Sequence, residues 1–124
     1  MAEHVLKGNP VREIVIDGEP YEMEVGNYTI VLEAKEWAEG VTELMRKDAF
    51  DLDDAKRLAD GGAAIVAAAL GDDGARRLMG GRNRLNLMRL LGVLDIIVEE
   101  FASDEGIRAQ EEAILSFART ADED

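Results

Sequence analysis

Cysteine is absent from this chain, histidine occurs once and proline twice. The missing thiols exclude disulfides and thiolate metal sites. The single histidine, His4, stands in the opening MAEHVLKGNP, a segment expected to be disordered. A general base must be held within hydrogen-bonding reach of its proton, so His4 is not expected to act as one. Nucleophile–base pairs of the Ser-His or Cys-His type have no other imidazole to draw on. Long apolar runs are missing too. The longest weakly polar stretch, Gly61–Gly71, falls short of the roughly 20 residues a membrane helix needs. The opening residues show no apolar core and no cleavage pattern, so no signal peptide is expected, and the expected location is cytoplasmic. Aromatic residues are few, and acidic residues outnumber basic ones 27 to 14, for a net charge of −13. A field that repels phosphate, with few rings to stack on bases, argues against nucleic-acid and anionic-membrane partners. In the simplest reading the charge serves solubility.

Carboxylates are plentiful, yet their spacing matches no metal loop. With Asp51 at the first position of an EF-hand, Lys56 stands where the turn glycine belongs and Gly62 where the bidentate glutamate belongs. Asp51, Asp53 and Asp54 read better as helix N-capping residues. The glycine clusters Gly71-Asp72-Asp73-Gly74 and Gly80-Gly81-Arg82 lack the Lys-Ser/Thr ending of a P-loop and the strand-to-helix dinucleotide fingerprint. They read as helix stops. No catalytic, cofactor-binding or metal-binding residue is expected, and the chain is read as a non-enzyme.

At 124 residues the chain is expected to form a single domain, 1–124, large enough to bury a core without staples. Its first part is β. Across 11–25, Ile14 and Ile16 alternate with polar or smaller neighbours, and Tyr21, Met23 and Val25 alternate with Glu22 and Glu24, a period of two. Asp17-Gly18 between them signals a hairpin. A four-residue loop, Asp17 to Pro20, would pair Ile16 with Tyr21, and a two-residue loop would pair Ile14 with Tyr21. Either places both apolar sets on one face.

From about 29 to 120 the period becomes helical. Ile30, Ala34, Trp37, Val41 and Leu44 form one face, with Thr29 or Asn27 as cap. A second helix starts at Asp51 or Asp53 and runs to about Leu70, its middle made of alanine and glycine. Such a helix admits close neighbours and is expected at the centre. Gly71 should end it. A short helix, Asp72–Met79, should stop at Gly80 or Gly81. A long helix capped by Asn83 should turn Leu87, Leu91, Leu94, Ile97 (or Val98) and Phe101 inward. A last helix, capped by Ser103 or Asp104, carries the stripe Ile107, Ile114 and Phe117. The acidic tail 121–124 is expected to fray. The fold class is therefore mainly α with an N-terminal β-hairpin (α+β), a small bundle of about four to five helices.

One block stands apart in charge. Arg76, Arg77, Arg82, Arg84 and Arg89 lie within Leu70–Leu91, and no acidic residue occurs from Gly74 to Leu94. Two readings remain open. The arginines are a solvated face paired with Asp72, Asp73, Asp95 or Glu99, contributing little stability. Alternatively, Arg76, Arg77, Arg82, Arg84, Leu85, Met88 and Arg89 form a partner-binding surface for an acidic protein or another copy of this chain, since the guanidinium fork holds carboxylates bidentately.

The order of these features resembles the tail assembly chaperones of long-tailed bacteriophages and prophages. The hairpin IDGEPYEMEV comes first, then the switch to helical period and an alanine-rich helix. LGDDGARRLMGG follows, then an asparagine and a long apolar helix through VEEF. The resemblance covers Ile14 to about Phe101. Leu70–Gly74 matches the first glycine pair of those proteins, Leu78–Asn83 the second, and Leu85–Met88 the apolar turn that follows. Where they carry aromatics before the first glycine, this chain has Val66, Ala67, Ala68 and Ala69, and the helix Ile107–Arg119 has no counterpart. The resemblance implies a non-enzymatic protein, in the host cytoplasm, that binds the tape measure protein and the tail tube protein during tail morphogenesis, with homo-oligomers possible. Such proteins coat the tape measure before the tube polymerises and are absent from the virion, and many occur in two lengths through a ribosomal frameshift. The alternatives are another small phage morphogenetic or structural protein, or an acidic protein-binding adaptor domain.

Overall fold

The computed structural model describes residues 1–47 and 51–123, with the side chains of residues 120–123 outside that description. Six elements follow one another: β1 (Val11–Ile16), β2 (Glu19–Glu24), α1 (Tyr28–Met45), α2 (Leu52–Met79), α3 (Leu87–Phe101) and α4 (Asp104–Glu123), with a 3₁₀ turn at Gly81–Asn83. The protein is mainly helical with an N-terminal antiparallel hairpin, as its periodicities predict.

The hairpin adopts the shorter of the two loops. Ile14 pairs with Tyr21 and Ile16 with Glu19, leaving Asp17 and Gly18 as the turn at φ 52° and 80°. Positive φ at both positions is the twist that matches paired strands. In this register Pro20 faces Val15, next to the hydrogen-bonded pair that flanks the turn, so its missing N–H breaks no ladder bond. Ile14, Ile16, Tyr21 and Met23 point together into the core.

Asn27 opens α1, its Oδ1 accepting from the Thr29 amide at 3.2 Å. Ile30, Ala34, Trp37 and Leu44 are buried along it. Asp51 opens α2 in the same way, accepting from the Asp54 amide at 2.8 Å. Helix α2 is the centre of the protein, packed against α1, α3 and β2. Small residues allow this. A Cβ on Gly62 would lie 2.3 Å from Leu90 Cδ2. The Trp37 indole N–H donates to the Leu58 carbonyl at 2.8 Å, tying α1 to α2. Gly71 breaks α2 with φ 82° and ψ 163°, outside helical geometry, where a stop was expected. Gly80 ends it, its amide donating to the Arg76 carbonyl at 2.9 Å.

Two expectations for α3 are corrected. Its cap is Asn86, which accepts from the Arg89 amide at 3.0 Å, not Asn83. The 3₁₀ turn after Gly80 takes up Asn83, so the helix starts later. Its inward face is Leu90, Val93, Leu94, Ile97 and Phe101, whereas Leu87 is half-buried and Leu91 38% exposed. Helix α3 is apolar on most sides, so periodicity alone left its rotation open, and the gap at Gly62 receives Leu90.

Ser103 caps α4, its Oγ accepting from the Gly106 amide at 3.1 Å. The helix runs to Glu123, and position 124, the end of the acidic tail, lies outside the described residues. The stripe Ile107, Ile114 and Phe117 is exposed. No helix among the described residues is long and apolar enough to cross a membrane.

Candidate protein-binding surface

The arginine block divides once it is folded. Helix ends leave their last carbonyls without intrahelical partners, and Arg89 Nε donates to one of these, Leu78 O, at 2.6 Å. Arg89 thereby closes the junction between α2 and α3. Arg77 reaches the hairpin. It donates to Glu19 Oε2 at 3.2 Å and to the Pro20 carbonyl at 3.4 Å. Its guanidinium carbon stands 4.4 Å from the centre of the Tyr21 ring, a cation–π contact. These two side chains hold elements together. Arg76 pairs with Asp73 at 3.3 Å one turn away, both well exposed, an arrangement that contributes little.

Arg82 and Arg84 are different. Both are exposed in the turn between α2 and α3, and among the described residues neither guanidinium has a hydrogen-bond or ion-pair partner. Leu85 beside them is half-buried, and Met88 on the first turn of α3 is 72% exposed. Of the seven residues singled out in the sequence, Arg82, Arg84 and Met88 are thus exposed and unengaged by any other side chain among the described residues, with the half-buried Leu85 between them in the chain. Of the expected acidic partners, Asp73 engages an arginine of the block, and among the described residues Asp72, Asp95 and Glu99 make no ion pair with it.

Two features escaped sequence reasoning. One is Arg12 on β1, only 16% exposed in its side chain, with Nη1 2.7 Å from Glu100 and Nη2 2.6 Å from Glu105. It also donates to Ser103 Oγ at 2.9 Å. This fork clamps the α3–α4 corner onto the hairpin, and its partners lie about ninety positions away in the chain, beyond any local pattern. The other is an open apolar furrow between α1 and α3, lined by Ala34, Ala38, Leu91, Leu94 and Val98, with Lys35 and Asp95 along it. It exists because α3 turns Leu91 outward, which the expected rotation of that helix hid.

Comparison with family models, with curated proteins and with solved structures finds no match.

Proposed function

We propose that this protein is a tail assembly chaperone of a long-tailed phage or prophage, acting without catalysis by binding the tape measure protein, with the tail tube protein as a second partner. The observation that carries the reading is that Arg82, Arg84 and Met88 are exposed and unengaged by any other side chain among the described residues, on a framework whose other block arginines are engaged. Unpaired guanidinium groups beside an exposed methionine are suited to an amphipathic helix with acidic flanks. The order of hairpin, alanine-rich helix and paired glycine stops supports the same reading.

The test begins with the DNA. A long helical reading frame downstream of the gene identifies the tape measure candidate, and a slippery run near the codons for Ala118–Asp124 identifies the two-product mechanism. The candidate is then co-expressed with this chain. Co-purification that Arg82→Glu/Arg84→Glu abolishes is the expected result. A downstream region with no such frame, or capture unaffected by the charge reversal, counts against the reading. Recovery of the protein in purified particles would favour a structural tail component instead.

A further inference from the structure

The hairpin is a sheet of β1 and β2 alone, so each strand has an outer edge. In an antiparallel ladder alternate residues exchange both backbone bonds with the partner strand, and those between them turn their N–H and C=O groups to the edge. Ile16 and Glu19 flank the tight turn, and the Val25 amide donates to the Pro10 carbonyl at 2.8 Å. The even-numbered residues of β1 are therefore the ones bonded to β2. The edge-facing residues are Val11, Glu13 and Val15 on β1, opposite Glu24, Glu22 and Pro20 on β2.

The two edges differ. On β2, Pro20 has no N–H to offer, and its carbonyl accepts from Arg77 at 3.4 Å. That strand also lies against α2, with Glu22 and Glu24 beside residues 67–71. On β1 the edge-facing amides and carbonyls of Val11, Glu13 and Val15 have no partner among the described residues. Val11 is 54% and Val15 66% exposed, with Glu13 exposed between them. Edge strands are commonly shielded by proline, lysine or a bulge. The strand VREIVI has neither residue, and its register runs without a bulge.

We propose that the edge of β1 docks an extended, basic segment of a partner protein, added to the hairpin as a third strand. The unmade backbone bonds select an extended chain, whose own N–H and C=O groups complete the ladder at Val11, Glu13 and Val15. The side chains select its composition. The solvent face of the hairpin carries Val11, Glu13, Val15, Pro20, Glu22 and Glu24, three carboxylates and no cation. A strand laid beside β1 sets one residue opposite each of Val11, Glu13 and Val15. Opposite charges and apolar pairs across strands are favourable, and like charges directly opposed are not. The fitting segment therefore reads apolar-x-basic-x-apolar, with its basic residue opposite Glu13. The same glutamate disfavours a second copy, because antiparallel pairing of two β1 strands centred on Glu13 sets that carboxylate against its equivalent. The proposal uses none of Arg82, Arg84 and Met88 and is independent of the chaperone reading.

Nuclear magnetic resonance of the isotope-labelled full chain tests it. The probes are two peptides blocked at both ends, Thr-Val-Thr-Lys-Thr-Val-Thr and the same sequence with glutamate in place of lysine. The lysine peptide is expected to shift the amide signals of Val11, Glu13 and Val15 and to slow their hydrogen exchange. It should bind roughly fivefold more tightly than the glutamate peptide. Glu13→Lys, at an exposed position, should reverse the order of the two peptides. Val15→Pro removes one edge-facing amide without breaking a ladder bond to β2 and should abolish the shifts. Binding of neither peptide, equal binding of both, or an order that Glu13→Lys leaves unchanged overturns the proposal. Shifts of the same amides with protein concentration alone would assign the edge to a second copy and overturn it as well. Circular dichroism verifies the fold. Where Val15→Pro loses structure, a lysine peptide N-methylated at the amides that face β1 replaces it and is expected not to bind.

Discussion

Leu90 fills the space over Gly62: a Cβ on that glycine would stand 2.3 Å from Leu90 Cδ2 and 2.9 Å from Trp37 Nε1. Three helices meet at this point, and the absence of one carbon atom sets how near they come. Gly62→Ala is expected to destabilise the protein. Overpacking costs about 1–3 kcal/mol, and the helical preference for alanine returns at most about 1 kcal/mol. The neighbouring Gly61→Ala, whose Cβ would meet nothing nearer than 3.9 Å, is expected to stabilise instead. Urea unfolding of the pair, followed by the single tryptophan, measures both signs.

Gly71 and Gly92 form a second contrast. Gly71 has φ 82° in open space, so alanine there meets no clash but a backbone conformation that costs on the order of 1–3 kcal/mol. Gly92 is helical, exposed and free of neighbours within 4 Å. Alanine there should stabilise by up to about 1 kcal/mol. Thermal melting of the two variants should move the midpoint in opposite directions, and equal shifts would contradict the break in α2.

The arginines of one block should separate by their roles. Arg89→Ala removes the donor to the Leu78 carbonyl and is expected to cost about 1–3 kcal/mol. Arg82→Glu/Arg84→Glu touches no described partner and should leave stability within about 0.5 kcal/mol of wild type. Denaturant midpoints measured side by side check the division, and a large loss in the double variant would place those residues in the framework.

Arg12 joins three groups at the α3–α4 corner. Arg12→Ala should loosen α4, seen as faster hydrogen exchange in its first two turns while the α2 core keeps its protection. Arg12→Lys should restore little, because a single ammonium lacks the fork that spans two carboxylates and a hydroxyl. Full protection in either variant would show that the close seat of Gly106 on the end of α3 and the packing of Ala109 against the core hold the helix without the clamp.

Much of this architecture was legible in residue order. The alternation around Asp17-Gly18 announced the hairpin, Asn27 and Asp51 stood among the expected caps, and Gly71 and Gly80 interrupted helices where glycine should. These are local effects: side-chain periodicity, a carboxylate or amide reaching an amide two or three residues on, a backbone angle that a Cβ opposes. The candidate surface was legible only as composition. Five arginines close in sequence look alike, and which of them is free depends on where the hairpin and the end of α2 stand.

The sequence by itself determined the succession of elements, the face of the hairpin, the central place of the alanine-rich helix and the overall acidity. The tertiary structure decided the rotation of α3, the later cap at Asn86, the engagement of Arg77 and Arg89, the Arg12 clamp and the uncovered stripe of α4. The reason is physical. A helix apolar on most sides has no preferred face until a neighbour offers a gap, and Gly62 offers it to Leu90. A charged side chain has no defined partner until distant segments are brought within about 3 Å of it.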